Sequence, residues 1–151
     1  MQPRTRLMSA FTLSAAMLFG AAAAEAQNAV SSADSPQIYW IYSATVNPGR
    51  LDDFKQLVAE AVANTAKEPH TLEYQYSLSP DQKSIDIVER YVDSAAVVTH
   101  VNGFKAKFGK RFVEDVTGTH FAVYGPVSAE AKDALTGFNA VYMSPIDGFV
   151  R

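Results

Sequence analysis

Apolar and polar positions change period several times along the chain, and each change marks an element. Residues 38–46 (IYWIYSATV) are dense in β-branched and aromatic side chains and stop at Asn47-Pro48-Gly49, which predicts a strand and a turn. From Gly49 to Lys67 the period becomes helical. Leu51, Phe54, Leu57, Val58, Ala61 and Val62 share one face, Asp52 and Asp53 occupy the first turn where the helix dipole favours anions, and Pro69 stops the helix at Glu68. Leu72, Tyr74, Tyr76 and Leu78 then alternate with polar residues, Ser79 to Lys83 has turn chemistry, and residues 84–92 return as a second strand of an antiparallel hairpin. Asp93 or Ser94 caps a helical region carrying Ala95, Val98, Val101, Phe104, Phe108 and Phe112, in which Asn102-Gly103 is expected to make a break or kink. Val116 to Tyr124 reads as a fourth strand, Ser128 to Leu135 as a short helix, and Phe138 to Met143 as a short fifth strand.

The order β-α-β-β-α-β predicts an α+β, ferredoxin-like domain, an antiparallel sheet with its helices on one face. The first strand is apolar on both parities, Tyr39 and Ile41 on one side and Ile38, Trp40 and Tyr42 on the other. Both faces of the sheet are therefore expected to be covered, and the remaining chain is too short to cover the second. A homodimer packed sheet to sheet is the expectation.

Ahead of this domain, Arg4 and Arg6 precede an apolar run from Leu7 to Ala24 that ends in alanines and Ala24-Glu25-Ala26. That layout predicts a signal peptide over residues 1–26, with cleavage after Ala24 as the nearby alternative, a polar linker over residues 27–37, and a periplasmic or secreted product without a stable membrane anchor. Composition narrows the chemistry. The 151 residues contain no cysteine, which removes disulfides, thiolate metal sites and cysteine nucleophiles, and a net charge of −3 supplies no basic field for nucleic acid. No G-x-G-x-x-G, Walker or G-x-S-x-G sequence occurs.

Pro48-Gly49, the helix with Leu51 and Phe54, Glu68-Pro69 before a tyrosine-bearing strand, and above all Val88-Glu89-Arg90-Tyr91-Val92-Asp93-Ser94-Ala95-Ala96 followed by His100-Val101 carry a family pattern. Over residues 38–126 the chain resembles the antibiotic biosynthesis monooxygenase family of dimeric α+β barrel proteins, leaving residues 127–151 as a C-terminal helix and strand extension. His70 stands where the family has glycine. The resemblance implies a homodimer with a pocket between sheet and helices in each subunit, and a cofactor-independent monooxygenase taking a small aromatic substrate, a quinol or phenol, together with dioxygen. Haem-degrading relatives share the fold, so the alternative is a non-catalytic periplasmic binder of an aromatic metabolite or haem.

Oxygenation without a cofactor requires a base that ionises the substrate, a hydrogen-bonding group that orients it, and apolar walls. His100 is the candidate base because imidazole titrates near neutral pH; a surface or structural histidine is the alternative. Glu89 shares parity with Ile85, Ile87 and Tyr91, so it is a candidate carboxylate on an apolar face; a structural pair with Arg90, Arg111 or a lysine is the alternative. Trp40, Tyr42, Tyr74, Tyr91, Phe104 and Phe108 are the expected ring-binding wall, drawn from aromatics that include Tyr76 and Phe112. His70 and His120 lack metal-ligand spacing, so no metal or other cofactor is expected.

Overall fold

The computed structural model describes residues 30–32 and 34–150. The expected leader, residues 1–26, lies outside the described residues. The elements are β1 (Val30–Ser31), β2 (Ile38–Val46), α1 (Leu51–Thr65), β3 (Thr71–Leu78), β4 (Ser84–Tyr91), α2 (Ser94–Lys107), α3 (Gly109–Asp115), β5 (Val116–Tyr124), α4 (Ala129–Ala134), β6 (Val141–Met143) and β7 (Phe149–Val150). β3, β4, β2, β5 and β6 form one sheet in that order. Every pairing in it is antiparallel except β5 with β6, which is parallel. The fold is ferredoxin-like α+β.

Within the segment expected as linker, β1 pairs with β7. The break in the helical region also falls elsewhere than the sequence predicts: α2 runs unbroken through Asn102-Gly103 to Lys107, and Phe108 separates it from α3. A helical glycine costs about 1 kcal/mol, and burying large apolar side chains such as those of Val101 and Phe108 gains about 1.5–3 kcal/mol each. Both are buried, so packing decides the local conformation. Asp93 caps α2 by accepting from the Ala96 N–H at 2.9 Å, and Ser128 caps α4 in the same way through Ala131. The fifth strand is confined to Val141–Met143.

β2 alternates as its parity dictates, with Ile38, Trp40 and Ala44 buried beneath the helices and Tyr39 and Ile41 exposed on the opposite face. On that outer face Tyr39 stacks on Tyr124, ring centroids 4.6 Å apart. Under the helices the apolar side chains form two clusters. One gathers Ile38, Trp40, Tyr91, Val97, Val101, Phe121, Val123 and Leu135. The other gathers Phe54, Leu57, Ala61, Ile85, Ile87, Phe108, Phe112 and Val116. Tyr42 packs against both.

Candidate functional site

Strand register assembles the floor of the site. Trp40 lies opposite Glu89, and Glu89 opposite Tyr74, so one cross-strand row carries an indole, a carboxyl and a phenol on the helix-facing side. The next row is Tyr76, Ile87, Tyr42 and Phe121. From above, α2 lowers His100 and, one turn on, Phe104, whose rings lie 6.1 Å apart.

These groups enclose a cavity of about 40 Å³ at the seam of the two clusters. Trp40, Tyr42, Tyr76, Phe104, Phe112, Phe121 and Phe138 supply its aromatic wall, Ile87, Val101 and Leu135 its aliphatic part, and Glu89 and His100 its ionisable groups. Of the residues the sequence marks as site candidates, Trp40, Tyr42, Phe104, His100 and Glu89 meet at this cavity. Tyr91, Tyr74 and Phe108 do not line it. Tyr91 is wholly buried behind Glu89, Tyr74 packs edge-on against Tyr76 and His100, and Phe108 turns toward the second cluster. The physical reason is register: Tyr91 falls in the row of Ile38, one pleat beyond Trp40, and Phe108 lies one turn beyond Phe104.

His100 is held between two carboxylates. Nδ1 is 2.9 Å from Glu68 Oε2, and Nε2 is 3.3 Å from Glu89 Oε2. His100 itself is 3% exposed and Glu89 7%. The Tyr91 hydroxyl and the Trp40 indole N–H donate to Glu89. Burial pushes the Glu89 carboxyl above the usual range, with His100, Tyr91 and Trp40 pulling back and Glu68 adding to the rise. Neither Arg90 nor Arg111 is its partner, since Arg90 faces Glu73 and Arg111 pairs with Glu60. Burial also raises the Tyr74, Tyr76 and Tyr91 hydroxyls well above their ordinary value, so these three serve as neutral hydrogen-bonding groups. His70 and His120 are exposed. Among the described residues no group of three acidic, histidine or cysteine side chains is arranged to hold a metal ion.

A larger cleft of about 770 Å³ adjoins the cavity and shares Tyr42, Phe104, Phe112, Phe121 and Phe138 with it. Its rim is polar, with Lys105, Thr117, Thr119, His120 and Asn139. β5 bulges between Gly118 and His120 opposite Ser43 and Ala44, and a Cβ on Gly118 would collide with the Tyr42 hydroxyl. Glycine at 118 therefore lets Tyr42 lie across the boundary between cavity and cleft. Phe138 stands on the other side, between Gly137 (φ 95°) and Asn139 (φ 56°), and Lys105 Nζ donates to the Ala134 and Thr136 carbonyls of that loop at 2.6 and 3.3 Å.

Sequence parity reached the floor but missed most of the roof. Tyr76 and Phe112 were visible as aromatics on the right elements and Phe121 only as a residue of the fourth strand, whereas Leu135 and Phe138 close the cavity through tertiary contacts that no local period encodes. Glu68 was visible only as the residue before Pro69.

The family model for antibiotic biosynthesis monooxygenase matches residues 38–115. Among solved structures, MupZ from Pseudomonas fluorescens is 20% identical with a TM-score of 0.66, over 78% of this chain and 91% of that one. A variant of SnoaB, a cofactor-independent oxygenase from Streptomyces nogalater, is 15% identical with a TM-score of 0.53, over 62% and 96%. A putative antibiotic biosynthesis monooxygenase from Caulobacter crescentus is 22% identical with a TM-score of 0.54, over 62% and 92%. At these identities the likeness is one of fold. No curated protein sequence matches the chain.

Proposed function

The chain belongs to the antibiotic biosynthesis monooxygenase family, and on that premise we propose that it oxidises a small phenol or quinol with dioxygen and without a cofactor. The observation that carries this reading is a carboxylate–imidazole pair opening on a cavity whose other walls are aromatic and aliphatic. The substrate hydroxyl meets Glu89 and His100, which take its proton, and the resulting anion is the electron donor to oxygen. A desolvated carboxyl is a stronger base than one in water. Trp40, Tyr42 and Phe104, with Tyr76, Phe112 and Phe121, hold the ring. That SnoaB is a cofactor-independent oxygenase on the same fold supports the reaction class.

The cavity of about 40 Å³ is smaller than the roughly 150 Å³ space that accommodates benzene inside a protein. A ring therefore gains access when one of the shared aromatic side chains moves. Phe138, carried on the loop between Gly137 and Asn139, is the side chain that moves, and the outer cleft is the vestibule that holds the rest of the substrate. Haem fits less well. Both ring nitrogens of His100 face carboxylates, so a small aromatic stands ahead of a haem iron as the ligand.

Export and assembly complete the reading. Residues 1–26 direct the chain to the periplasm or beyond, and two copies pair through the outer sheet face, where Tyr39 and Ile41 are 41% and 38% exposed. Oxygen uptake by the purified protein with a panel of hydroquinones and naphthols tests the activity. Wild type should exceed both His100→Ala and buffer; equal rates in all three would remove the catalytic assignment and leave a binder.

A further inference from the structure

Glu89 and His100 are both buried, and a buried base must pass on the proton that it collects before it can act again. The side chains of Glu89 and His100 are 9% and 4% exposed, whereas that of Glu68 is 23% exposed. Glu68 sits in the turn between α1 and β3, where Thr71 Oγ1 donates to the same Oε2 that faces His100 Nδ1, both at 2.9 Å. This second hydrogen bond fixes the carboxylate against the imidazole on the side away from Glu89. The Tyr74 and Tyr91 rings also pack against the imidazole, and burial holds both hydroxyls protonated. Among the described partners of His100, Glu68 is thus the one that reaches both the ring and water.

We propose that Glu68 is a positioning residue and the proton exit of the site, completing a relay from Glu89 through His100 to solvent. The inference rests on the proposed ionisation of a phenol at Glu89. The substrate O–H bond breaks, its electron pair stays on the phenolic oxygen, and the proton passes to Glu89. Glu89 delivers a proton to His100 Nε2 while Nδ1 releases one to Glu68, which leaves the ring as its Nε2–H tautomer; the reverse transfer, as reduced oxygen takes up a proton to form water, restores Nδ1–H. Glu68 then gives its proton to water. No electron moves in these steps.

The probe is 4-nitrophenol, whose anion absorbs visibly, mixed with the full-length protein in a stopped-flow instrument at one fixed pH. Glu68→Gln should slow ionisation of the bound probe by about a hundredfold or more, the scale of losing one proton-transfer group, and should leave its dissociation constant within about threefold. Added acetate should restore the rate in proportion to its concentration, and Glu68→Asp should retain most of it. On wild type alone, rates in H2O–D2O mixtures should fall along a curve, because more than one proton is in flight. Equal rates in wild type and Glu68→Gln, a slowed variant that acetate does not rescue, or a linear isotope plot would overturn the relay while leaving the aromatic site standing. Failure of wild type to bind the probe would overturn both.

Discussion

Replacing Glu89 by Gln should make the protein more stable at neutral pH and less able to ionise a phenol, and the two effects have one cause. Glu89 is 7% exposed, and burial outweighs the help of His100, Tyr91 and Trp40, so its carboxyl holds a proton above the ordinary value of 4.5. A group raised in the folded state contributes its full stability below the unfolded pKa and loses it as pH rises through the folded one. Wild type should therefore lose stability relative to Glu89→Gln from about pH 4.5 upward. The steepest possible slope is ~1.4 kcal/mol per pH unit for one proton, or roughly 3–5 °C of Tm per pH unit for a domain of this size. Gln keeps an acceptor for the Tyr91 hydroxyl, so little packing changes. Calorimetric melting of both proteins between pH 4 and 8 measures the gap directly. In a His100→Asn background the window should extend to higher pH, because His100 is what pulls Glu89 down. A gap that stays constant across the whole range would refute the reasoning, since it would mean that Glu89 ionises as freely folded as unfolded.

Three further outcomes follow from the same geometry. Phe138→Ala should raise acrylamide quenching of Trp40, the single tryptophan of the chain, severalfold by opening the cavity to the cleft. Because Phe138 is only half-buried, the stability loss should be about 2–3 kcal/mol, below the ~3–5 kcal/mol of a fully buried phenylalanine; unchanged quenching would place the gate elsewhere. Gly118→Ala should push the Tyr42 ring out of place at a cost of about 1–3 kcal/mol and weaken naphthol binding, whereas Gly137→Ala, with open space around its Cβ, should act only through backbone strain. Light scattering of the protein lacking residues 1–26 at micromolar concentration should give about twice the monomer mass, and Tyr39→Asp with Ile41→Asp should return the monomer without reducing helix content.

Periodicity carried the fold because the ferredoxin-like arrangement is written locally: the alternation in β2, the helical stripe from Leu51 to Val62 and the turn at Ser79 to Lys83 each admit one reading. It carried half of the site for the same reason, since Glu89 and Trp40 face each other as soon as strand parity is known. The roof was illegible. Phe138 reaches the cavity by a turn with two positive φ angles, which has no periodic signature; on the floor, Phe121 was hidden by the bulge that shifts the register of β5 at Gly118. The misplaced helix break has a related origin. Asn102-Gly103 is a local break signal that Val101 and Phe108 override by burial.

The central claim is that this cavity ionises a phenol beside Glu89 and His100. It is tested most directly by adding 1-naphthol to the protein under nitrogen at neutral pH and reading two signals together, Trp40 emission for binding and the naphtholate absorption band for ionisation. Wild type should quench and show naphtholate, while Glu89→Leu and His100→Ala should bind with naphthol left neutral. Naphthol that binds wild type and keeps its proton, or that leaves Trp40 emission untouched, would contradict the account.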